Sequence, residues 1–236
     1  MRLSPLQIQH AIGIAATQVT GLRDHFGTDT KSFHPGRAAQ NGLLAAILAQ
    51  QDYTASPDAL EAKRGWANCV STRNNLDELF GKESLGKVWE IEKNSFKPFP
   101  CGIVAHPAID ACVQLHGELA AKGVHWPRTA ERVQSVHLRV HPLVIELTAK
   151  KTPKDGLEAK FSVFHGCAVA LWSGKAGPAQ YADEIVQGVQ VVALRGKIEA
   201  EIEDSLEADQ CEATLKLSGQ SSIIYHRRCR HSSSPC

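Results

Sequence analysis

The stretch Lys97-Pro98-Phe99-Pro100 constrains the fold of this chain more than any other four residues. Each proline fixes its own φ, removes a backbone donor and pushes the preceding residue out of the helical region. The backbone must therefore cross this point in an extended form. On the N-terminal side of the crossing the strong signals are helical. On the C-terminal side helices alternate with strands. The expected fold class is α+β, with an all-helical part over residues 1–95, an α+β part over 96–220, and a tail without regular structure over 221–236.

The helical part carries its own punctuation. Ser4 is a natural N-cap and Pro5 fits the first helical position. Ile8, Ala11, Ile12, Ala15, Ala16 and Val19 recur at helical spacing, and Gly21 is a plausible stop. A polar loop is expected over 27–34, and Pro35 is then expected to open a second helix through Ala49. Ser56-Pro57-Asp58 reads as a third helix start, and Leu76 to Trp89 as a mixture of helix and loop.

Beyond the crossing, a helix is expected from Ala108 to Ala121, ending near Gly123. Val136, Leu138 and Val140 then alternate with His137, Arg139 and His141, the period of a half-buried strand. Leu143 to Leu147 is expected to extend the sheet. Ser162 and Gly174 bracket a helix, and another lies between Ala182 and Arg195. Strands return at Lys197–Glu203 and Glu212–Leu217.

Composition excludes several functional classes. The 26 basic and 25 acidic side chains leave a net charge of +1, so nucleic acid is not an expected partner, although a small anion needs only a few local cations. The longest apolar runs fall far short of the roughly 20 residues that span a bilayer, so no membrane association is expected. Met1 leads directly into a helical pattern with no signal-peptide run. The seven cysteines are scattered, with no Cys-x-x-Cys pair and no zinc spacing even in the Cys-, His- and Arg-containing tail. The expectation is reduced thiols, no metal and an intracellular protein.

Two stretches present candidate chemistry. Residues 27–40 place Lys31, His34 and Arg37 at a helix start, where free N–H groups and the helix dipole favour a carboxylate. The same pattern also suits solvated surface charges. Residues 96–111 set Lys97, Cys101 and His106 along a rigid extended segment, with the His106 ring expected to face a cleft. An ordinary connecting segment has the same look.

Read together, these stretches resemble the MmgE/PrpD family of 2-methylcitrate dehydratase- and cis-aconitate decarboxylase-like lyases. The core GTDTKSFHPGRAAQNGLLAA is similar to the segment with which that family lines its active site from the helical domain. FKPFPCGIVAHPAIDA is similar to the lead into the family's smaller α+β lid domain, and Lys160-Phe161-Ser162 with YADEIVQGV to a stretch inside that lid. The similarity covers roughly residues 6–217.

The resemblance implies a remnant of the helical domain followed by the lid, because the family's long N-terminal block has no counterpart before Met1. It implies Lys31, Lys97 and His106 as catalytic residues, and His34, Arg37 and Cys101 as substrate contacts. The two lysines, drawn from different modules, would meet across a shared crevice. The substrate would be a small di- or tricarboxylate, with no cofactor and no metal, in a protein of the cytoplasm or mitochondrion that could form a homodimer. Some decarboxylase-type members place a catalytic histidine directly after the Phe-Pro pair. Cys101 and Gly102 stand here, which argues against decarboxylation and leaves dehydratase-like or unassigned chemistry ahead. The alternative is an inactive paralogue that binds carboxylates or associates with a full-length relative.

Overall fold

The computed structural model describes residues 2–19, 21–76, 86–123, 126, 131–218 and 223–230, the last of these as backbone. The chain divides into two compact units, Met1–Asn94 and Ser95–Cys236.

In the helical unit, α1 (Pro5–Ala16) begins with a reciprocal cap. Gln7 N–H donates to Ser4 Oγ at 3.2 Å, and Ser4 N–H donates to Gln7 Oε1 at 3.0 Å. α1 packs on α2 (Asp29–Gln50) through Ile14, Ala45 and Ala49. Small side chains let the two backbones approach closely. Asn41, buried at this seam, donates to the Gln18 carbonyl at 2.9 Å. A short α3 (Trp66–Val70) follows, and single 3-10 turns lie at Arg23–His25 and Glu90–Lys93.

Three expectations change here. α1 ends at Ala16, short of Gly21. α2 begins at Asp29, six residues before Pro35, because Gly27 at φ +86° and the extended Thr28 start the helix there. Pro35 then sits inside it and removes only its own bond to the carbonyl four residues back, Lys31. Ser56-Pro57-Asp58 opens a series of turns rather than a helix. Most of 76–89 lies outside the described residues.

The α+β unit is built on a four-stranded sheet in the order β2-β1-β3-β4. β1 (Val133–Val140) runs parallel to β2 (Ile198–Ile202) and antiparallel to β3 (Gln210–Leu217), and β4 (Ile223–Arg230) runs antiparallel to β3. Period-2 alternation sends Val136, Leu138, Val140, Cys211, Ala213 and Leu215 to one buried face. That face shares one core with α4 (His106–Ala121) and α7 (Val163–Ser173). The opposite face carries His137 and Arg139. Arg139 bridges Glu203 and Glu212 and lies 3.6 Å from Glu201.

Between the strands lie α5 (Pro142–Thr148), α6 (Gly156–Ala159), α7, α8 (Asp183–Val186) and α9 (Val189–Arg195). α7 follows its sequence signals closely, since Ser162 Oγ accepts from His165 N–H at 3.0 Å and Gly174 closes the helix in the left-handed region at φ +67°. α4 and α7 touch so closely that a Cβ on Gly166 would lie 2.6 Å from Ile109 Cδ1.

The segment expected to extend the sheet at Leu143–Leu147 is instead α5. His141 Nδ1 accepts from Leu143 N–H at 3.2 Å, Pro142 takes the first helical position, and Val144 and Thr148 are buried one turn apart. The helix expected between Ala182 and Arg195 is two short ones, broken at Gly188. The tail expected to lack regular structure carries β4, because its backbone finds partners along all eight residues of β3, Gln210↔Arg230 to Leu217↔Ile223.

Candidate functional site

In the helical unit, Lys31, His34 and Arg37 lie on the first three turns of α2 rather than on a loop. Lys31 and Arg37 are exposed. Arg37 Nη1 donates to Gln40 Oε1 at 2.8 Å. His34 is half-buried. Its ring meets the edge of the His25 ring at a centroid distance of 5.9 Å and covers Gly21, where a Cβ would come within 3.2 Å of His34 Nδ1. Asp29 occupies the first turn and already takes up part of the positive helix end. The unit also contains an open groove of about 890 Å³, lined by Ile14, Leu44, Leu48, Tyr53, Arg64 and Trp66 among others. None of the three expected residues lines it.

In the α+β unit, the extended crossing positions its side chains one after another. Lys97 is exposed, and its ammonium donates to the Cys101 carbonyl at 3.2 Å, which ties the amine to the backbone it precedes. Phe99 turns inward, and its ring meets the His106 ring edge-on at 5.3 Å. His106 is fully buried at the start of α4, so its ring faces the core and not an open cleft. Gly102 N–H donates to the Lys160 carbonyl at 3.0 Å, and a Cβ on Gly102 would come within 2.9 Å of Thr148 Cγ2. Glycine at this position lets the crossing dock against the Lys160-Phe161-Ser162 stretch.

Behind Lys97 lies a small polar cluster. Cys101 is buried, and burial raises its thiol pKa, partly offset by the Tyr181 hydroxyl and the Lys97 charge. Burial likewise raises the Tyr181 phenol, and the neighbouring Cys101 adds to the shift. The His165 ring stands edge-on to Tyr181 at 5.2 Å, and its Nε2 lies 3.0 Å from the Gln180 carbonyl. Burial pushes the His165 pKa down to about 4. At neutral pH all three groups are therefore uncharged. Among the described residues, His165 Nδ1 has no hydrogen-bond partner, and no cluster of His, Cys, Asp or Glu could hold a metal ion.

Lys97, Cys101 and His106 are the residues of this unit expected from the sequence, whereas His165 and Tyr181 carry no expected role. The signal for His165 was a histidine inside Val163-Phe164-His165-Gly166-Cys167-Ala168, a helix apolar on all sides, which has to be buried. Tyr181 gave no comparable sign, because its burial depends on tertiary packing over α7.

Both units match families of known sequence. Residues 1–79 match the MmgE/PrpD N-terminal domain, and residues 99–230 the MmgE/PrpD C-terminal domain. The chain belongs to the MmgE/PrpD family. It is 27% identical over 198 residues to a 2-methylcitrate dehydratase of Salmonella typhimurium, covering 81% of this chain and 40% of that protein. A cis-aconitate decarboxylase of Aspergillus terreus is 33% identical over 121 residues, covering 49% of this chain and 25% of the other. A human cis-aconitate decarboxylase is 24% identical over 202 residues, covering 84% of this chain and 40% of that protein. The chain thus spans about 40% of the length of the dehydratases it matches. The C-terminal match runs to the end of β4, in keeping with that strand being part of the α+β unit. Among the described residues no helix is long and apolar enough to cross a membrane.

Proposed function

We propose that this MmgE/PrpD chain is a lyase-family protein acting on a small di- or tricarboxylate, by proton transfer with loss of water or carbon dioxide. The observation that carries this reading is the Lys97 segment, an exposed ammonium tethered at Cys101 in front of buried, neutral polar groups. An anionic substrate approaching Lys97 gains a charge-assisted contact and meets no negative charge on Cys101, Tyr181 or His165. The chemistry requires a positioned proton donor or acceptor and a cation to hold the carboxylate. Lys97 and Lys31 are assigned to these two tasks, and His106 supports the Lys97 segment from the core through Phe99. His34, Arg37 and Cys101 are the accompanying substrate contacts. The absence of a histidine after Pro100 favours dehydration over decarboxylation.

The test is calorimetry of the chain with citrate, 2-methylcitrate and cis-aconitate, repeated on Lys97→Met, with turnover followed in parallel. The expected result is tricarboxylate binding that weakens at least about tenfold in the variant, the loss of one charge-assisted contact. Binding without turnover would select the carboxylate-binding alternative. Equal affinity in the variant, or no binding by the parent chain, would overturn the site.

A further inference from the structure

The sheet of the α+β unit has two edges of opposite charge. The β2 edge and the turn after it carry Glu199, Glu201, Glu203, Asp204 and Glu207. The β4 edge carries His226, Arg227, Arg228 and Arg230, with no acid. His137 and Arg139 offset part of the β2 charge from the neighbouring strand, pairing with Glu201 and Glu203 of that edge while Arg139 also pairs with Glu212 of β3.

The β2 edge is also open in its backbone. Val136 N–H donates to the Lys197 carbonyl, and Glu203 N–H donates to the Val140 carbonyl. In a parallel pair this phase directs the odd-numbered residues of β2 toward β1. The N–H and C=O groups of Ile198, Ala200 and Ile202 therefore point away from the sheet. No described strand pairs with them. Ile202 is 52% exposed, an apolar side chain that an added strand would cover.

We infer that β2 accepts β4 of a second copy of this chain, extending the sheet edge to edge. Charge selects this pairing over its alternatives. A symmetric β2–β2 contact sets glutamates against glutamates and a β4–β4 contact sets arginines against arginines, both destabilising between adjacent strands. Only β4 on β2 joins opposite charges. Direction agrees as well. β2 runs with β1, β1 runs against β3, and β3 runs against β4, so β4 and β2 point the same way. A copy placed alongside in the same orientation adds β4 to β2 as a parallel neighbour. Acidic residues on an edge guard against self-pairing, and here they admit a basic strand. Such a contact is heterologous and open-ended, so association grows with concentration and does not stop at a dimer.

The experiment is sedimentation velocity of the full chain over a concentration series, at about 50 mM and about 500 mM salt. The expected result is association at low salt that weakens at least tenfold at high salt. Ala200→Pro removes an outward N–H that serves no bond to β1, and it is expected to abolish association while leaving the circular dichroism spectrum unchanged. Glu199→Lys, at an exposed position, is expected to weaken association in the same direction and serves where the proline variant does not fold. A monomer at every concentration in low salt would overturn the inference. So would association that neither variant nor salt affects, the outcome expected of a dimer formed through the helical unit.

Discussion

His165, sealed in the α+β unit, sets how that unit responds to acid. Its folded pKa is about 4, against about 6.5 for an unfolded histidine, chiefly because burial penalises the imidazolium. The folded pKa lies below the unfolded one, so the unfolded state takes up the proton first. The contribution is complete above about pH 6.5 and is lost as pH falls from there toward 4. A difference of about 2.5 pKa units corresponds to on the order of 3 kcal/mol, of which about 2 kcal/mol is already lost near pH 5.

The perturbation that isolates this effect is His165→Gln, whose amide keeps a donor for the Gln180 carbonyl but does not titrate. Trp66 and Trp89 belong to the helical unit, so replacing both with phenylalanine leaves Trp126 and Trp172 as fluorescent reporters of the α+β unit. Urea unfolding is then measured near pH 7 and near pH 5, with and without His165→Gln. Carboxylates and the other histidines contribute equally to both proteins and cancel in the comparison. The parent is expected to lose about 2 kcal/mol more than the variant between the two pH values. Equal losses would refute the placement of a neutral, buried imidazole at this position.

Two further substitutions test the packing around the same helix. Gly166→Ala puts a methyl group 2.6 Å from Ile109 Cδ1, so the overpacking cost of about 1–3 kcal/mol exceeds the gain of under about 1 kcal/mol in helix propensity. Ile109→Ala removes both that Cδ1 and the Cγ1 that would lie 2.8 Å from the new methyl, and the double variant is expected to be more stable than the sum of the singles by at least about 1 kcal/mol, read by hydrogen exchange in α4 and α7. Ser162→Ala deletes a buried cap and is expected to cost about 1–2 kcal/mol in urea unfolding, more than Ser4→Ala, whose cap is exposed. Equal costs at the two serines would show that burial does not strengthen the cap.

The parts of this fold legible in the sequence are those written in local chemistry. Ser162 and Gly174 bracket α7 because capping and left-handed backbone are properties of single residues. The alternation around Leu138 gives a strand because one face of β1 is buried and the other is not. Leu143–Leu147 misleads because an apolar, partly β-branched run suits a strand as well as a short helix. Only the His141 cap and Pro142 decide between them. Pro35 misleads in the opposite way, since proline opens many helices but is tolerated inside one that Thr28 and Asp29 have already started. β4 could not be read locally at all, because its backbone is ordered by eight register partners on β3 and not by its arginine-rich sequence. The same distinction holds for the candidate site. Lys97, Cys101 and His106 follow one another along the chain and could be named together, whereas Tyr181 reaches Cys101 only through tertiary packing.

The cluster of Cys101, Tyr181 and His165 is costly to a core whose remaining members are mostly aliphatic. Burying an imidazole and a phenol forfeits hydration that their few partners replace only in part, and apolar side chains of similar volume would pack there at no such cost. Stability alone therefore does not account for them. Their position adds the second half of the reasoning. The polar groups are gathered where Lys97 is tied down, where Gly102 docks on Lys160, and where Ser162 starts α7, instead of being scattered through the core. The proposed carboxylate site supplies a reason for departures from an apolar interior that concentrate beside one exposed cation. That concentration is why Lys97, more than the likewise exposed Lys31, is the residue on which the carboxylate reading should be tested first.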